Sequence, residues 1–377
     1  MSAKASKAKL HLPSLSVRGF RGIENLSISR LGRVTLFAGK NGVGKTTLLD
    51  AVRLYAARGR YSVLTSILQS REELAEGVDE DGEETLTPDW EALFHGWKTS
   101  SNAHISIGAV NKNQLLSIKT TSLSSAKETN RWKRLFSSYS SEDDGQLLSI
   151  EFQGMKQEIP LLLLASRADV RYRRYFSEES DLPPEIRCES LGPSLLSNWD
   201  MARFWDKVAL TDDEIRAVDA LNLIFGSKVD RVAMIGAERS RRAPYGRRVV
   251  AKIEGQVHPV PLKSLGDGAV RLFGVALALA NSPDGFLVID EAENGIHHSV
   301  QRDFWKMVIK TAHENNVQVF ATTHGWDCVA GFAQAVTESE EVEGALVRLE
   351  TNGDGIRSVE YSEEELRVVA EQGIEVR

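Results

Sequence analysis

The order of apolar and polar positions predicts β structure at the start of the chain. Two short apolar runs, Leu15 to Val17 and Leu26 to Ile28, flank Arg18-Gly19-Phe20-Arg21-Gly22, which predicts an opening hairpin. Arg33 to Ala38 is a further strand, and Gly39 ends it. From Lys45 the period changes: Leu48, Leu49, Val52 and Tyr55 form the single apolar stripe of a helix. Glu76 to Asp89 is acidic and Thr120 to Gly145 serine-rich, and both read as surface loops. Around them, His104 to Ile107, Leu115 to Ile118 and Leu147 to Phe152 read as strands, and Ile159 to Ala165 as a continuous apolar one. A helical insertion follows, with one helix over Asn198 to Val208. A second is opened by a Thr211/Glu214 capping box and stopped by Gly226.

The last third returns to alternating helix and strand. Ala269 to Ala280 is apolar nearly all round and predicts a buried helix. Gly285 to Ile289 is a strand ending in Asp290-Glu291. Val300, Phe304, Met307 and Val308 mark an amphipathic helix, and Val317 to Ala321 is a strand running into Thr322-Thr323-His324. A hairpin over Ala345 to Leu349 and Ile356 to Tyr361 turns at Asn352-Gly353-Asp354-Gly355, and Ser362 and Glu365 cap a final helix. No internal repeat is present.

Composition narrows the classes. The 377 residues suffice for two or three domains, or one large one with insertions. Lys and Arg number 46 against 53 Asp and Glu, so the net charge of −7 excludes a uniformly basic coat for nucleic acid, though not a local groove. Two cysteines, Cys188 and Cys328, exclude a disulfide framework and a four-cysteine zinc site, and fit a reducing cytoplasm. The longest apolar run, Leu272 to Ala280, is nine residues, against the about 20 that a membrane span needs. A cytoplasmic protein with no membrane partner is expected.

The chemistry concentrates in four places. Gly39-Lys40-Asn41-Gly42-Val43-Gly44-Lys45-Thr46 matches G-x-x-x-x-G-K-[ST] between a strand and a helix. Glycines let successive amides curl around phosphate oxygens at a helix N-terminus. Lys45 would reach the β- and γ-phosphates, and the Thr46 hydroxyl would ligate Mg2+. The apolar strand Phe286 to Ile289 ends in Asp290, suited to hold the Mg2+ water shell, and Glu291, suited to act as general base. His324 ends the next predicted strand and would face the γ-phosphate. Finally, Lys263-Ser264-Leu265-Gly266-Asp267-Gly268 precedes the buried helix. It reads either as a phosphate-binding N-terminus through Ser264 and Gly266 or as a plain cap.

In this order the four elements resemble the ABC-type ATPase heads of the SMC/RecF superfamily, and especially ATPases of the OLD (overcoming lysogenization defect) type. Phe20-Arg21-Gly22-Ile23, then Leu36 through the glycine-rich loop to Thr46, Thr47 and Asp50, looks like their opening. Ser264 to Gly268 resembles the signature, departing from the transporter LSGGQ form. Glu291 to His297 is similar to the catalytic glutamate and D-loop, and His324 matches the switch histidine. The resemblance covers roughly residues 15–60 and 230–330, and places no Q-loop glutamine. It implies an α/β P-loop NTPase: a mixed, largely parallel central sheet with an N-terminal antiparallel β portion and a helical insertion. Residues 1–60 would form an N-terminal lobe, 61–230 an inserted β and helical region, 231–335 a C-terminal lobe, and 336–377 a hairpin with a short helix. Nucleotide contacts would come from residues 39 to 47. The resemblance further implies a head-to-tail homodimer around ATP and Mg2+, in which Ser264 and Gly266 of one subunit cap the nucleotide of the other.

The stretch Gly325 to Arg377 holds no Asp-x-Asp cluster of a TOPRIM nuclease, so any cleavage activity would belong to a separately encoded effector. No sustained heptads lie between the glycine-rich loop and Asp290. Five arginines in Glu238 to Arg248, with Tyr245, fit either DNA contact or a solvated hairpin tip. His297-His298, read as neighbours on a helix, would point apart and make a poor metal site. The function expected is an ATPase switch in DNA surveillance or anti-phage defence. The alternatives are a transporter ATPase subunit and a non-hydrolysing scaffold. No Asn-Lys-x-Asp motif for guanine is present.

Overall fold

The structure is a computed structural model that describes residues 9–78, 84–97, 103–110, 114–122, 146–161, 182–223, 228–236, 246–339, 344–353 and 355–372. Most of the serine-rich stretch, the end of the apolar run after Leu161, Gly226 and the centre of the arginine-rich stretch lie outside these residues.

The inner strands of the central sheet read as largely apolar runs because both their faces are covered. Its order is β10 (Cys188–Leu191), β14 (Phe286–Ile289), β15 (Gln318–Thr323), β3 (Val34–Ala38), β16 (Gly344–Asn352) and β17 (Gly355–Tyr361). The first five run parallel, and β17 closes the edge as an antiparallel hairpin partner of β16. Alternation along each strand divides the core in two. Leu36, Leu287, Ile289, Val319 and Leu346 face one cluster; Phe37, Phe286, Val288, Phe320 and Val347 face the other.

The second face packs on α1 (Lys45–Ala56), whose Leu48, Leu49, Val52 and Tyr55 are all buried as the periodicity predicts. Beyond α1 lies an all-antiparallel sheet of β2 (Ile23–Ile28), β1 (Leu15–Phe20), β6 (His104–Gly108), β7 (Leu115–Ser122), β8 (Gln146–Phe152) and β9 (Met155–Pro160). α1 is thus sandwiched between two sheets. Against this lobe stand α2 (Tyr61–Ser70) and a hairpin of β4 (Leu74–Val78) with β5 (Glu84–Pro88). That hairpin corrects the expected acidic loop: its backbone pairing outweighs the poor β propensity of Glu and Gly.

On the first face of the central sheet lie α5 (Asp267–Ala280), α6 (Gln301–Glu314), α7 (Trp326–Thr337) and α8 (Glu363–Gln372). The insertion contributes α3 (Asn198–Val208) and α4 (Asp212–Asn222), followed by a small sheet of β11 (Val229–Ile235), β12 (Arg248–Ile253) and β13 (Val260–Pro261). Two local readings shift. The tight turn at Gln153 and Gly154 starts β9 at Met155, ahead of the expected Ile159. At α4 the Thr211 hydroxyl accepts from the Asp213 amide, but Glu214 takes the Leu210 amide rather than that of Thr211, so the reciprocal box is displaced by one residue. Arg247, at the end of the arginine-rich stretch, pairs with Asp206 on α3 at 2.5 Å. Cys188 and Cys328 are both free thiols, and no described helix is long and apolar enough to cross a membrane.

Candidate functional site

Three strands place the predicted groups on one edge. β15 lies between β14 and β3, with Ala321 beside both Ile289 and Leu36, and Thr323 beside Ala38. Neighbouring strands stand about 4.8 Å apart. The ends that lead into Gly39, Asp290 and His324 therefore share one rim, at the carboxyl edge where parallel sheets bind ligands.

The loop from Gly39 to Gly44 owes its path to left-handed glycines: φ is +146° at Gly39, +79° at Gly42 and +93° at Gly44. Gly39 is also a matter of space, since a Cβ there would come within 2.6 Å of the Leu349 carbonyl on β16. α1 then starts with no capping side chain and no acidic residue in its first turn, so the positive end of its dipole is uncompensated. Lys40 and Asn41 are exposed, Val43 is buried in the core, and Thr47 is half-buried. The Lys45 ammonium donates to the carbonyls of Gly39 at 2.6 Å and Lys40 at 2.9 Å. Burial lowers its pKa, and the nearby carboxylates of Glu293, Asp290 and Glu291 oppose that shift.

Thr46 Oγ1 donates to Asp290 Oδ1 at 3.2 Å, and Thr322 Oγ1 donates to the same oxygen at 2.5 Å. Thr322 Oγ1 also accepts the Glu291 amide at 2.8 Å. Glu291 sits in the left-handed region at φ +49°, a conformation that costs a non-glycine residue about 1–3 kcal/mol and must be held by its surroundings. The hold comes from Arg271 on α5, only 4% exposed. Its Nη2 donates to the carbonyls of Asp290 (2.7 Å) and Glu291 (2.9 Å), and its Nη1 to that of Gly192 (2.6 Å). Asn294 Nδ2 completes the setting by donating to Glu291 Oε2 at 2.7 Å.

His324 Nδ1 lies 3.1 Å from Glu293 Oε1 and 4.0 Å from Glu291 Oε1, which brings the histidine to the acidic pair. Ser264 and Gly266 make none of these contacts among the described residues. Both are exposed before the N-terminus of α5, and among the described residues Ser264 makes no hydrogen bond to the glycine-rich loop. Their neighbour is the D-loop-like segment, where a Cβ on Gly295 would lie 3.3 Å from Asp267. His297 and His298 are not on an α-helix as expected: His297 caps a single 3-10 turn, and the two rings lie 4.0 Å apart.

The donor set suits a magnesium triphosphate. A hydroxyl and a carboxylate already in contact, Thr46 and Asp290, are hard oxygen ligands of the kind Mg2+ takes in ones and twos alongside phosphate oxygens. Among the described residues, no group of three or more His, Cys, Asp and Glu could hold a metal ion by itself. Three contributors were not foreseen as functional: Arg271, the Thr322 hydroxyl and Glu293. A lone arginine inside the otherwise apolar Ala269 to Ala280 was the available signal, because a buried guanidinium demands acceptors.

Several known proteins are similar to this chain. A protein of Helicobacter pylori named ATP/GTP phosphatase is 20% identical over 346 residues, 87% of this chain and 89% of its own length. An uncharacterized protein of Methanocaldococcus jannaschii, MJECL11, is 32% identical over 114 residues, 30% of this chain and 99% of its own. Among solved structures, an SMC head bound to the C-winged helix domain of ScpA is similar at a TM-score of 0.48 and 13% identity, over 94% of this chain and 99% of that one. The SMC head domain from Thermotoga maritima is similar at 0.43 and 14%, over 94% and 100%. Residues 34–324 match a family profile from the strand before the glycine-rich loop to the histidine after β15, and the chain belongs to that family, described as "AAA domain, putative AbiEii toxin, Type IV TA system".

Proposed function

We propose that the chain hydrolyses ATP with Mg2+ and uses the cycle as a switch. The observation that carries this reading is the contact of Thr46 with Asp290, on the rim that also bears Lys45 and Glu291. Lys45 and the amides of residues 39 to 47 bind the triphosphate; Thr46 and Asp290 hold Mg2+. The metal, when bound, neutralises charge on the phosphate oxygens. Glu291 orients a water and accepts its proton as the water oxygen bonds to the γ-phosphorus. The bond from that phosphorus to the bridging oxygen breaks, leaving ADP and inorganic phosphate. His324 contributes polar contact to the γ-phosphate.

The family likeness extends this to an OLD-type head that pairs head-to-tail, Ser264 and Gly266 of one copy closing the site of the other. Their exposure supports such a role, since a lone glycine-rich loop leaves the γ-phosphate half open. In that setting the switch acts in DNA surveillance or anti-phage defence through a separately encoded effector.

The test uses purified protein with ATP and GTP, with and without Mg2+, and the Glu291→Gln variant. Mg2+-dependent phosphate release by wild type, and an ATP-induced dimer trapped by Glu291→Gln, are expected. A variant that stays monomeric with ATP contradicts the paired switch, and absence of turnover in wild type contradicts hydrolysis.

A further inference from the structure

Glu293 lies two residues beyond the general base, with its side chain only 14% exposed. Its Oε1 accepts from Thr323 Oγ1 at 2.8 Å, from the His324 amide at 2.9 Å and from the Gly325 amide at 3.1 Å. The same oxygen stands 3.1 Å from His324 Nδ1. Among the described residues, Glu293 Oε2 is buried without a hydrogen-bond partner. α7 begins at Gly325 with no capping side chain of its own, and a Cβ on Gly325 would lie 3.4 Å from Glu293 Oε1. A carboxylate from the segment after β14 thus occupies the N-terminus of the helix after β15, with the histidine ring against it.

We propose that Glu293 is a positioning residue that fixes the orientation and tautomer of His324. At 3.1 Å the Nδ1 contact is a charge-pair approach, and a lone pair on Nδ1 so close to a carboxylate oxygen would be repelled, so that nitrogen carries the hydrogen. In the neutral ring that leaves the lone pair on Nε2, which donates to a phosphate oxygen only when the ring carries both hydrogens. Glu291, at 4.0 Å from Nδ1, is outside hydrogen-bond range and is held instead by Asn294. The two glutamates therefore divide the work: Glu291 handles the water and Glu293 the histidine. The arrangement follows the general rule that the state of one ring nitrogen is set by what the other meets. This inference rests on the hydrolysis reading for its consequence, but its geometry can be read without turnover.

The experiment has two arms. Ring 15N spectra of the nucleotide-free protein at about pH 9, above the ordinary histidine range, give the tautomer, with His324→Ala assigning the signal among the eight histidines. Hydrogen on Nδ1 in wild type, lost or mixed in Glu293→Ala, is expected; hydrogen on Nε2 in wild type overturns the proposal even if the variant fails to fold. In the kinetic arm, Glu293→Ala lowers kcat by about 100-fold with KM for ATP within about threefold. Glu293→Gln, which keeps an acceptor, recovers to within about tenfold of wild type. The double variant with His324→Ala falls no further than His324→Ala alone. Additive losses, or a risen KM with intact kcat, would make Glu293 a helix cap and overturn the proposal. If wild type shows no turnover, the hydrolysis reading fails and the ring spectrum alone decides the role of Glu293.

Discussion

The Thr46 hydroxyl meets Asp290 Oδ1 at 3.2 Å across 244 residues of chain. The glycine-rich loop and the acidic end of β14 are thereby in direct contact. Asp290→Asn keeps the shape and removes the charge. It should weaken the Mg2+-dependent part of ATP affinity by about 10- to 100-fold, as loss of a metal-site group generally does. Fluorescent-nucleotide titration with and without Mg2+ measures it, and equal Mg2+ dependence in variant and wild type would count against Asp290 as a ligand.

Arg271 joins α5 to the loop that carries Glu291. In Arg271→Met, three carbonyls, those of Gly192, Asp290 and Glu291, lose their donors. The expected cost is about 2–4 kcal/mol of stability, at about 1–3 for each buried group left unpaired and with partial relaxation. Urea denaturation reads the loss directly. Turnover should also fall, because Glu291 no longer has its left-handed backbone held. A variant with wild-type midpoint and rate would refute the role.

Gly39 and Gly42 separate space from conformation. Both have positive φ, but a Cβ at Gly42 meets nothing within 4 Å, whereas one at Gly39 meets the Leu349 carbonyl at 2.6 Å. Gly42→Ala should cost about 1–2 kcal/mol, the price of left-handed backbone alone. Gly39→Ala should cost more, since β16 would have to move. Thermal midpoints in the order wild type, Gly42→Ala, Gly39→Ala are expected; the reverse order of the two variants would contradict the packing.

The last helix gives a pH test. The Ser362 amide and hydroxyl both donate to Glu365 Oε2, at 2.7 and 2.8 Å, and the Glu365 amide donates back to Ser362 Oγ at 3.3 Å. Those donors hold the Glu365 carboxyl below its usual range. A lowered folded pKa means that the stabilisation is complete above the unfolded value, about 4.3, and is lost as pH falls through the folded one. Ser362→Ala should therefore cost about 1 kcal/mol at neutral pH and less at about pH 3. A gap independent of pH would remove the carboxylate from the explanation.

What the sequence disclosed follows from how local each signal is. The glycine-rich loop, Asp290-Glu291 and His324 were legible because each ends a short apolar strand, and parallel strands joined by helices bring such ends to one rim. The capping box at Ser362 was legible for the same reason, being four residues long. Arg271 was not, because its acceptors come from two other segments and its own segment reads only as a buried apolar helix. Thr322 was passed over since a hydroxyl at the end of a strand carries no pattern that distinguishes a bridge between Asp290 and the Glu291 amide from ordinary β propensity. The β4–β5 hairpin was hidden by acidic residues whose exposure says nothing about backbone pairing.

The most direct measurement is calorimetric titration of ATP with Mg2+ into wild type and Lys45→Ala. One saturable site per chain in wild type, weakened at least about tenfold by loss of the charge-assisted contacts of Lys45, is the predicted result. No heat of binding in wild type, or equal binding by both proteins, would contradict a nucleotide site built from residues 39 to 47 and Asp290.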